Sequence, residues 1–223
     1  MSAAITVVNS TIFKPHLTVI RNARSKPSER RHSARMVTFD LLRTMLQGMP
    51  LLTVPFTSGT GDQGEGHAFA QDVAAVVFIM RAALPLALTA WDLMPEVPMG
   101  ELDLERQEQD GKIFVKVLSV KLPPVPPKIC VVLDGMVATA VTTIEALNVV
   151  KKWGGENMRI LFGGLVGSEK GVRALNDAHP DVPIFMAAID PGLDEHGFVR
   201  YTGVGDFGHM TWGTEMPKTI ELN

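Results

Sequence analysis

Apolar residues fall along this chain in short continuous runs separated by amphipathic stretches, with little strict alternation. The run Ile129-Cys130-Val131-Val132-Leu133 leads to Asp134 and a turn of small residues, after which Ile144, Leu147 and Val150 recur at helical spacing. Such a run predicts a strand buried on both faces, as in a parallel sheet, here ending on an acid. Residues 72–80, 159–165 and 183–190 predict three more strands of this kind. Leu86, Leu88 and Trp91 follow the first as a helix, and Ser168 opens a helix after the second. Polar residues 100–110 and loosely alternating residues 113–120 read together as a hairpin flap.

Nearer the N-terminus, residues 5–8 predict a short strand and 14–21 an extended apolar piece. Ser25 or Ser28 is then a candidate cap for a helix turning Met36, Val37, Leu41, Leu42 and Met45 inward. Residues 1–35 carry little core and read as an N-terminal arm. Residues 48–71, dense in Gly, Pro, Thr and Ser, read as a flexible exposed loop. Residues 123–127 are a stiff polyproline connector. The order of elements predicts an α/β class fold, a mostly parallel sheet flanked by helices, built as one domain over 1–223.

Composition narrows the possibilities. At 223 residues, 46% apolar and 20% charged, the chain has the make-up of a soluble globular protein. A net charge of −3 gives no electrostatic footprint for nucleic acid. No apolar run reaches the ~18–20 residues of a membrane span, and the N-terminus lacks the plan of a secretory signal. The single cysteine, Cys130, cannot form an intrachain disulfide and reads as a small buried hydrophobe. A cytoplasmic protein is the expectation. The 6 histidines show no metal-ligand spacing.

Four places carry candidate chemistry. The turn after Asp134 offers helix N-terminal N–H groups and the hydroxyls of Thr139, Thr142 and Thr143, which suit a phosphate. An ordinary α/β turn without a ligand has the same pattern, and no nucleotide-loop lysine or GxGxxG is present. Arg81, at the end of a central strand, needs either an acidic partner or an anionic ligand. The basic run Arg24, Lys26, Arg30, Arg31, His32 and Arg35 could meet phosphate, but a solvated face or a subunit contact has the same composition. Residues 196–214 contain five glycines around Asp206, which implies close backbone approach to a ligand, with an acid placed for a sugar or a metal.

At this last segment the chain resembles the uracil phosphoribosyltransferases, type I phosphoribosyltransferases. Residues 203–214, GVGDFGHMTWGT, resemble the family's GLGDAGDR-like run, and residues 190–198 its D-x-x-LNE-x-GY. Asp134, Met136, Ala138, Thr139 and Thr142 match DPMLATGGS; residues 80–84 resemble LRAGL, 104–108 LYRDE, and 15–21 HKLTLLR. The matches run in order along nearly the whole chain. The resemblance implies a phosphoribosyltransferase-like fold with a hairpin flap over 100–122 and a base-binding hood over 190–223. It implies transfer of phosphoribosyl from phosphoribosyl pyrophosphate to uracil, giving UMP and pyrophosphate in pyrimidine salvage. Mg²⁺ would arrive on the pyrophosphate, with no direct protein ligand.

Residue by residue, the resemblance implies catalytic roles for Asp206 and Arg106. Arg81 and Arg106 would hold pyrophosphate. Asp134, Gly135, Met136, Val137, Ala138, Thr139, Ala140, Val141 and Thr142, with Asp206, would bind ribose and 5′-phosphate. Val199, Gly205, Asp206 and Phe207 would meet uracil. A homodimer or larger homo-oligomer is implied, with the basic arm and residues 100–120 as contacts. There are departures. Ala140 and Val141 stand where the family has glycines, Gly135 replaces a proline and loosens the turn, and His209-Met210 replaces Asp-Arg. Val141 is poorly suited to positive φ. These changes motivate an alternative, a catalytically weak homologue acting as a nucleotide-binding or regulatory protein. Transfer to another base is a third reading.

Overall fold

The structure, a computed structural model, describes residues 3–69, 74–109, 112–193, 199–200 and 203–214. In chain order the elements are β1 (Ile5–Val7), α1 (Lys14–Arg21), α2 (Pro27–Met45), β2 (Leu51–Thr57), β3 (Gln63–Phe69), β4 (Ala74–Ile79) and α3 (Leu84–Leu93). Then come β5 (Met99–Gln109), β6 (Lys112–Lys121), β7 (Ile129–Val137), α4 (Val141–Gly154), β8 (Arg159–Ser168) and α5 (Glu169–Ala178). The last are β9 (Ile184–Asp190), β10 (Gly192–Leu193), β11 (Val199–Arg200) and α6 (Phe207–Trp212).

Seven strands form one sheet in the order β1-β9-β8-β7-β4-β5-β6. Every pairing in it is parallel except β5 with β6. The continuous apolar runs have the cause their pattern implied. Val76 and Phe78 of β4, with Val131 and Leu133 of β7, face a cluster built with Ile20, Leu41, Leu86 and Phe207. The alternate residues Val77, Ile79, Cys130 and Val132 face a second cluster with Leu147, Val150, Val172 and Leu175. Helices α1, α2, α3 and α6 therefore cover one face, and α4 and α5 the other. A strand so enclosed has no polar side to alternate with.

Several sequence expectations are corrected. Residues 14–21 form a helix rather than an extended piece. Pro15 sits in its first turn, where a missing N–H costs nothing, and Ile20 is fully buried against the core. The cap of α2 is neither Ser25 nor Ser28. Lys26 occupies that place, its backbone N–H donating to Glu29 Oε2 at 2.7 Å, with Pro27 opening the helix. Met36 faces outward, whereas Val37, Leu41, Leu42 and Met45 are buried. Residues 3–35 do carry core: Phe13, Ile20, Arg30 and Ala34 are buried, and β1 extends the sheet alongside β9.

Residues 51–69 form the two-stranded hairpin β2–β3 instead of a loose loop. Thr53, Val54 and Phe56 favour strand, and Gly61, at φ +91°, supplies the left-handed residue of the turn. The flap expected over 100–122 is the β5–β6 hairpin on the sheet edge. Strand β7 does not stop at Asp134. Its ladder with β8 continues through Asp134↔Gly164 to Val137↔Gly167, so the acid lies within the strand.

Candidate active site

Strands β4 and β7 are neighbours in the sheet, and the strand order reverses between them. From β7 the chain proceeds through β8 to β9 on one side, and from β4 to β5 and β6 on the other. A crevice opens at the carboxyl ends of strands at such a switch point. A cavity of about 230 Å³ occupies it, lined by Ile79, Met80, Arg81 and Ala82 after β4, by Asp134, Met136 and Thr142 from β7 and α4, and by Asp206, Phe207, Gly208 and His209. A larger cavity of about 630 Å³ lies where α1 meets α2, between His16 and His32. Size does not decide here. The smaller cavity is the one that gathers two carboxylates and a guanidinium at the switch point.

Asp134 is buried, and burial pushes its carboxyl up to about 6. Three donors oppose that shift: the Thr143 hydroxyl, at 2.8 Å from Oδ2, the Met136 N–H, at 3.3 Å from Oδ1, and the Gly135 N–H. Thr143 thus turns to Asp134 and not toward a ligand. Thr142 is the threonine that reaches the cavity. Gly135 is no loosened turn residue, since it sits inside β7. A Cβ there would come within 2.8 Å of both Ala82 Cβ and Phe207 Cδ1, so its bareness lets the 80–83 turn and α6 close over the strand.

The residue before helix α4, Ala140, is its cap; it holds φ +65° and offers no side chain to bond the first turn. The first-turn N–H groups consequently have no capping oxygen, the arrangement that accepts an anion. The strain expected at Val141 falls instead on Ala140. Alanine bears it because a single methyl is the smallest burden in the left-handed region, and that methyl is buried in the second core cluster. Ser168, the cap of α5, braces the loop from below. Its hydroxyl donates to Ala138 O at 2.6 Å and accepts from Gly171 N–H at 2.8 Å. A Cβ on Gly171 would lie 2.2 Å from Ala138 O, a backbone atom that can yield only if the loop moves. Gly171→Ala is therefore expected to cost about 1–3 kcal/mol of stability, read as a lowered urea midpoint.

The third wall is α6 and the turn before it. Asp206 caps the helix, its Oδ1 accepting from His209 N–H at 2.9 Å while Oδ2 lies 3.7 Å from His209 Nε2. Gly213, at φ +68°, closes the other end. Arg31 of α2 donates to Thr211 O at 2.8 Å and lies over the Trp212 ring. Trp212 Nε1 donates to Arg81 O at 3.3 Å, tying this wall to the β4 turn.

The structure brings together six of the residues singled out in the sequence: Arg81, Asp134, Met136, Thr142, Asp206 and Phe207. Arg81 is exposed at the rim, not buried as its strand-end position suggested, and its Nη2 donates to Thr214 Oγ1 at 3.4 Å. Val137, Ala140 and Val199 are buried in the core clusters, and Arg106 lies exposed on β5, outside the cavity lining. His209, Ser168 and Thr143 were not read as site residues in these roles. The hydroxyls act through contacts 9 and 30 residues away in sequence, which leave no local pattern. Burial pushes the Cys130 thiol up to about 12, which removes it as a nucleophile. Among the described residues no group of three or more His, Cys, Asp or Glu side chains is placed to hold a metal ion.

Comparison with known proteins agrees with this architecture. The family model for uracil phosphoribosyltransferase matches residues 7–214. A uracil phosphoribosyltransferase of Roseiflexus sp. (strain RS-1) is 34% identical over 213 residues, covering 95% of this chain and 99% of its own. One from Latilactobacillus sakei is 30% identical, covering 96% and 100%. Among solved structures, the AQ2163 protein from Aquifex aeolicus superposes with a TM-score of 0.84 at 22% identity, covering 94% of this chain and 98% of its own. The adenine phosphoribosyl transferase from Trypanosoma brucei, solved with AMP, pyrophosphate and ribose-5-phosphate, superposes at 0.54 with 11% identity over 86% and 87%. These two establish the fold alone. With a family model spanning nearly the whole chain and relatives above 30% identity matched end to end, the chain belongs to the uracil phosphoribosyltransferase family.

Proposed function

We propose that this protein is an active uracil phosphoribosyltransferase, a pentosyltransferase of pyrimidine salvage. Uracil N1 forms a bond to C1 of phosphoribosyl pyrophosphate, the C1–O bond to pyrophosphate breaks, the N1 proton is lost, and UMP and pyrophosphate leave. The observation that carries the reading is the convergence of Arg81, Asp134, Thr142, Asp206 and Phe207 on one cavity beside an uncapped helix start.

In this reading the first turn of α4, with residues 138–142, takes the 5′-phosphate, and Asp134 accepts from the ribose hydroxyls. Gly135, Met136 and Val137 set the backbone beneath the ribose. Arg81 at the rim, and Arg106 brought in by the β5–β6 hairpin, take the pyrophosphate as a charged fork. Gly205, Asp206 and Phe207 meet uracil, with the Val199 backbone at the far edge. The transition state has oxocarbenium character at C1, and Asp206 stabilises it by charge. Holding both substrates in line supplies much of the remainder.

Magnesium suits this donor set as a passenger on the pyrophosphate. It would be held by phosphate oxygens and waters, with no direct protein ligand, in a cavity whose carboxylates, Asp134 and Asp206, leave the local charge favourable to a cation. When bound, it neutralises charge developing on the leaving group. A homodimer or larger assembly belongs to the reading. Leu51, Leu52 and Phe56 are exposed on the two-stranded β2–β3 hairpin, a unit of marginal stability by itself. So does a cytoplasmic location. No described helix is long and apolar enough to cross a membrane.

The test is isothermal titration with phosphoribosyl pyrophosphate and Mg²⁺, followed by uracil with UMP formation monitored. Binding with turnover is expected. A folded sample that binds neither substrate overturns the reading; binding without turnover replaces it with a nucleotide-binding or regulatory role.

A further inference from the structure

Arg21 and Asp190, 169 residues apart in sequence, form a forked ion pair. Arg21 Nη1 donates to Asp190 Oδ2 at 2.6 Å and Nη2 to Oδ1 at 3.0 Å. The side chains are only 17% and 7% exposed. A desolvated pair of this kind adds little net stability compared with apolar packing, but its two parallel bonds fix direction as well as distance.

Both ends of the pair sit on rigid supports. Arg21 is the last residue of α1, and Arg30, itself buried, grips the chain around it by donating to the carbonyls of Ile20, Asn22 and Ser25. Asp190 is the last residue of β9. Its register partner across the ladder is Ser168, the residue that holds the Ala138 carbonyl of the phosphate-side loop. Beyond Asp190 the chain leaves the main sheet. Gly192–Leu193 pairs antiparallel with Val199–Arg200, Val199 and Val204 are buried, and the chain arrives at Asp206 and Phe207 in the cavity wall. Asp190 is therefore the last residue of the main sheet before the C-terminal wall.

We infer that Arg21 and Asp190 are positioning residues that aim the uracil-side wall, through residues 190–193 and 199–200 to 203–207, at the cavity. The inference rests on the uracil phosphoribosyltransferase reading for its choice of substrate. Neither residue lines the cavity, so the pair acts through the segment it orients. It also gives the N-terminal stretch a task that its distance from the site conceals. Helix α1 supplies the fixed point from which the C-terminal wall is hung.

Arg21→Lys keeps the charge and removes the fork; Asp190→Asn keeps the shape and removes the charge. Each is expected to raise KM for uracil about tenfold, the scale of one charge-assisted hydrogen bond, with KM for phosphoribosyl pyrophosphate changed less than about twofold. Amide hydrogen exchange should quicken across residues 192–207 and stay as in the parent protein across 138–143. A purely structural pair would shift both KM values together with the urea midpoint, and that outcome overturns the inference, as does unchanged exchange at 192–207. Should the parent protein fail to turn over uracil, the activity reading falls. The exchange pattern, which needs no substrate, still decides the positioning role.

Discussion

Replacing Asp206 with asparagine is expected to lower kcat for UMP formation by about a hundredfold or more while leaving the fold intact. The reasons separate cleanly. Asparagine caps a helix as well as aspartate does, so the bond from His209 N–H to Oδ1, 2.9 Å in the parent, survives and α6 stays anchored. What disappears is the negative charge that the proposed mechanism sets against the oxocarbenium carbon. Removal of one preorganised electrostatic stabiliser costs roughly 10²–10³ in turnover. Thermal melting of the variant alongside steady-state kinetics checks both halves. An unchanged kcat would move the charge-stabilising role away from Asp206, and a collapsed melting transition would make Asp206 a structural cap first.

Asp134→Asn is expected to make the protein more stable at neutral pH and poorer at binding phosphoribosyl pyrophosphate. Burial raises the Asp134 carboxyl from 3.8 to about 6. Between those values the folded protein keeps a proton that the unfolded chain has released, so the native state binds more protons. Stability attributable to this group therefore falls as pH rises through that window and is flat above it. The shift corresponds to about 3 kcal/mol. Asparagine carries no charge to bury, so above pH 6 the variant should gain up to about that amount, less whatever its altered bonds to Thr143 and Met136 cost. Urea unfolding at pH 4.5 and 7.5 reads the effect directly: the parent should lose stability between the two from this group, and the variant should not. Parallel profiles for the two proteins would show that Asp134 is not held in the environment described. Such a residue, costly to the fold and lining the cavity, is the kind of feature retained for chemistry.

The sites legible in the sequence were those whose chemistry is written locally. Asp134 follows a continuous apolar run, Thr142 opens the next helix, Arg81 closes another run, and Asp206 sits among glycines. Each carries its own context; parallel strands place the carboxyl ends of β4 and β7 on one side of the sheet, and α6 brings Asp206 to them. The contacts with no local pattern act at a distance. Ser168 reaches Ala138, Thr143 turns back to Asp134, and His209 packs its imidazole near the carboxylate of Asp206. A hydroxyl in a helix's first turn has several possible partners, and only packing selects one.

The elements divide in the same way. Runs such as 72–80 and 129–133 read as buried strands because burial on both faces suppresses every competing pattern. Residues 14–21 and the loop expected over 48–71 differ from their sequence pattern for the opposite reason. Their local preferences are weak, and their conformation is decided by what they meet: α1 by the core around Ile20, the β2–β3 hairpin by its own register and its turn at Gly61. The α/β class, the strands at the centre of the sheet and the residue types at the cavity follow from the chain alone, since hydrophobic period and local charge are properties of neighbours in it. That Ala140 rather than Val141 bears the left-handed turn, that Thr143 serves Asp134, and that Arg21 reaches Asp190 are settled by packing in three dimensions. Those outcomes depend on side chains far apart in sequence competing for the same space and the same hydrogen bonds, a competition that exists only after the chain has folded.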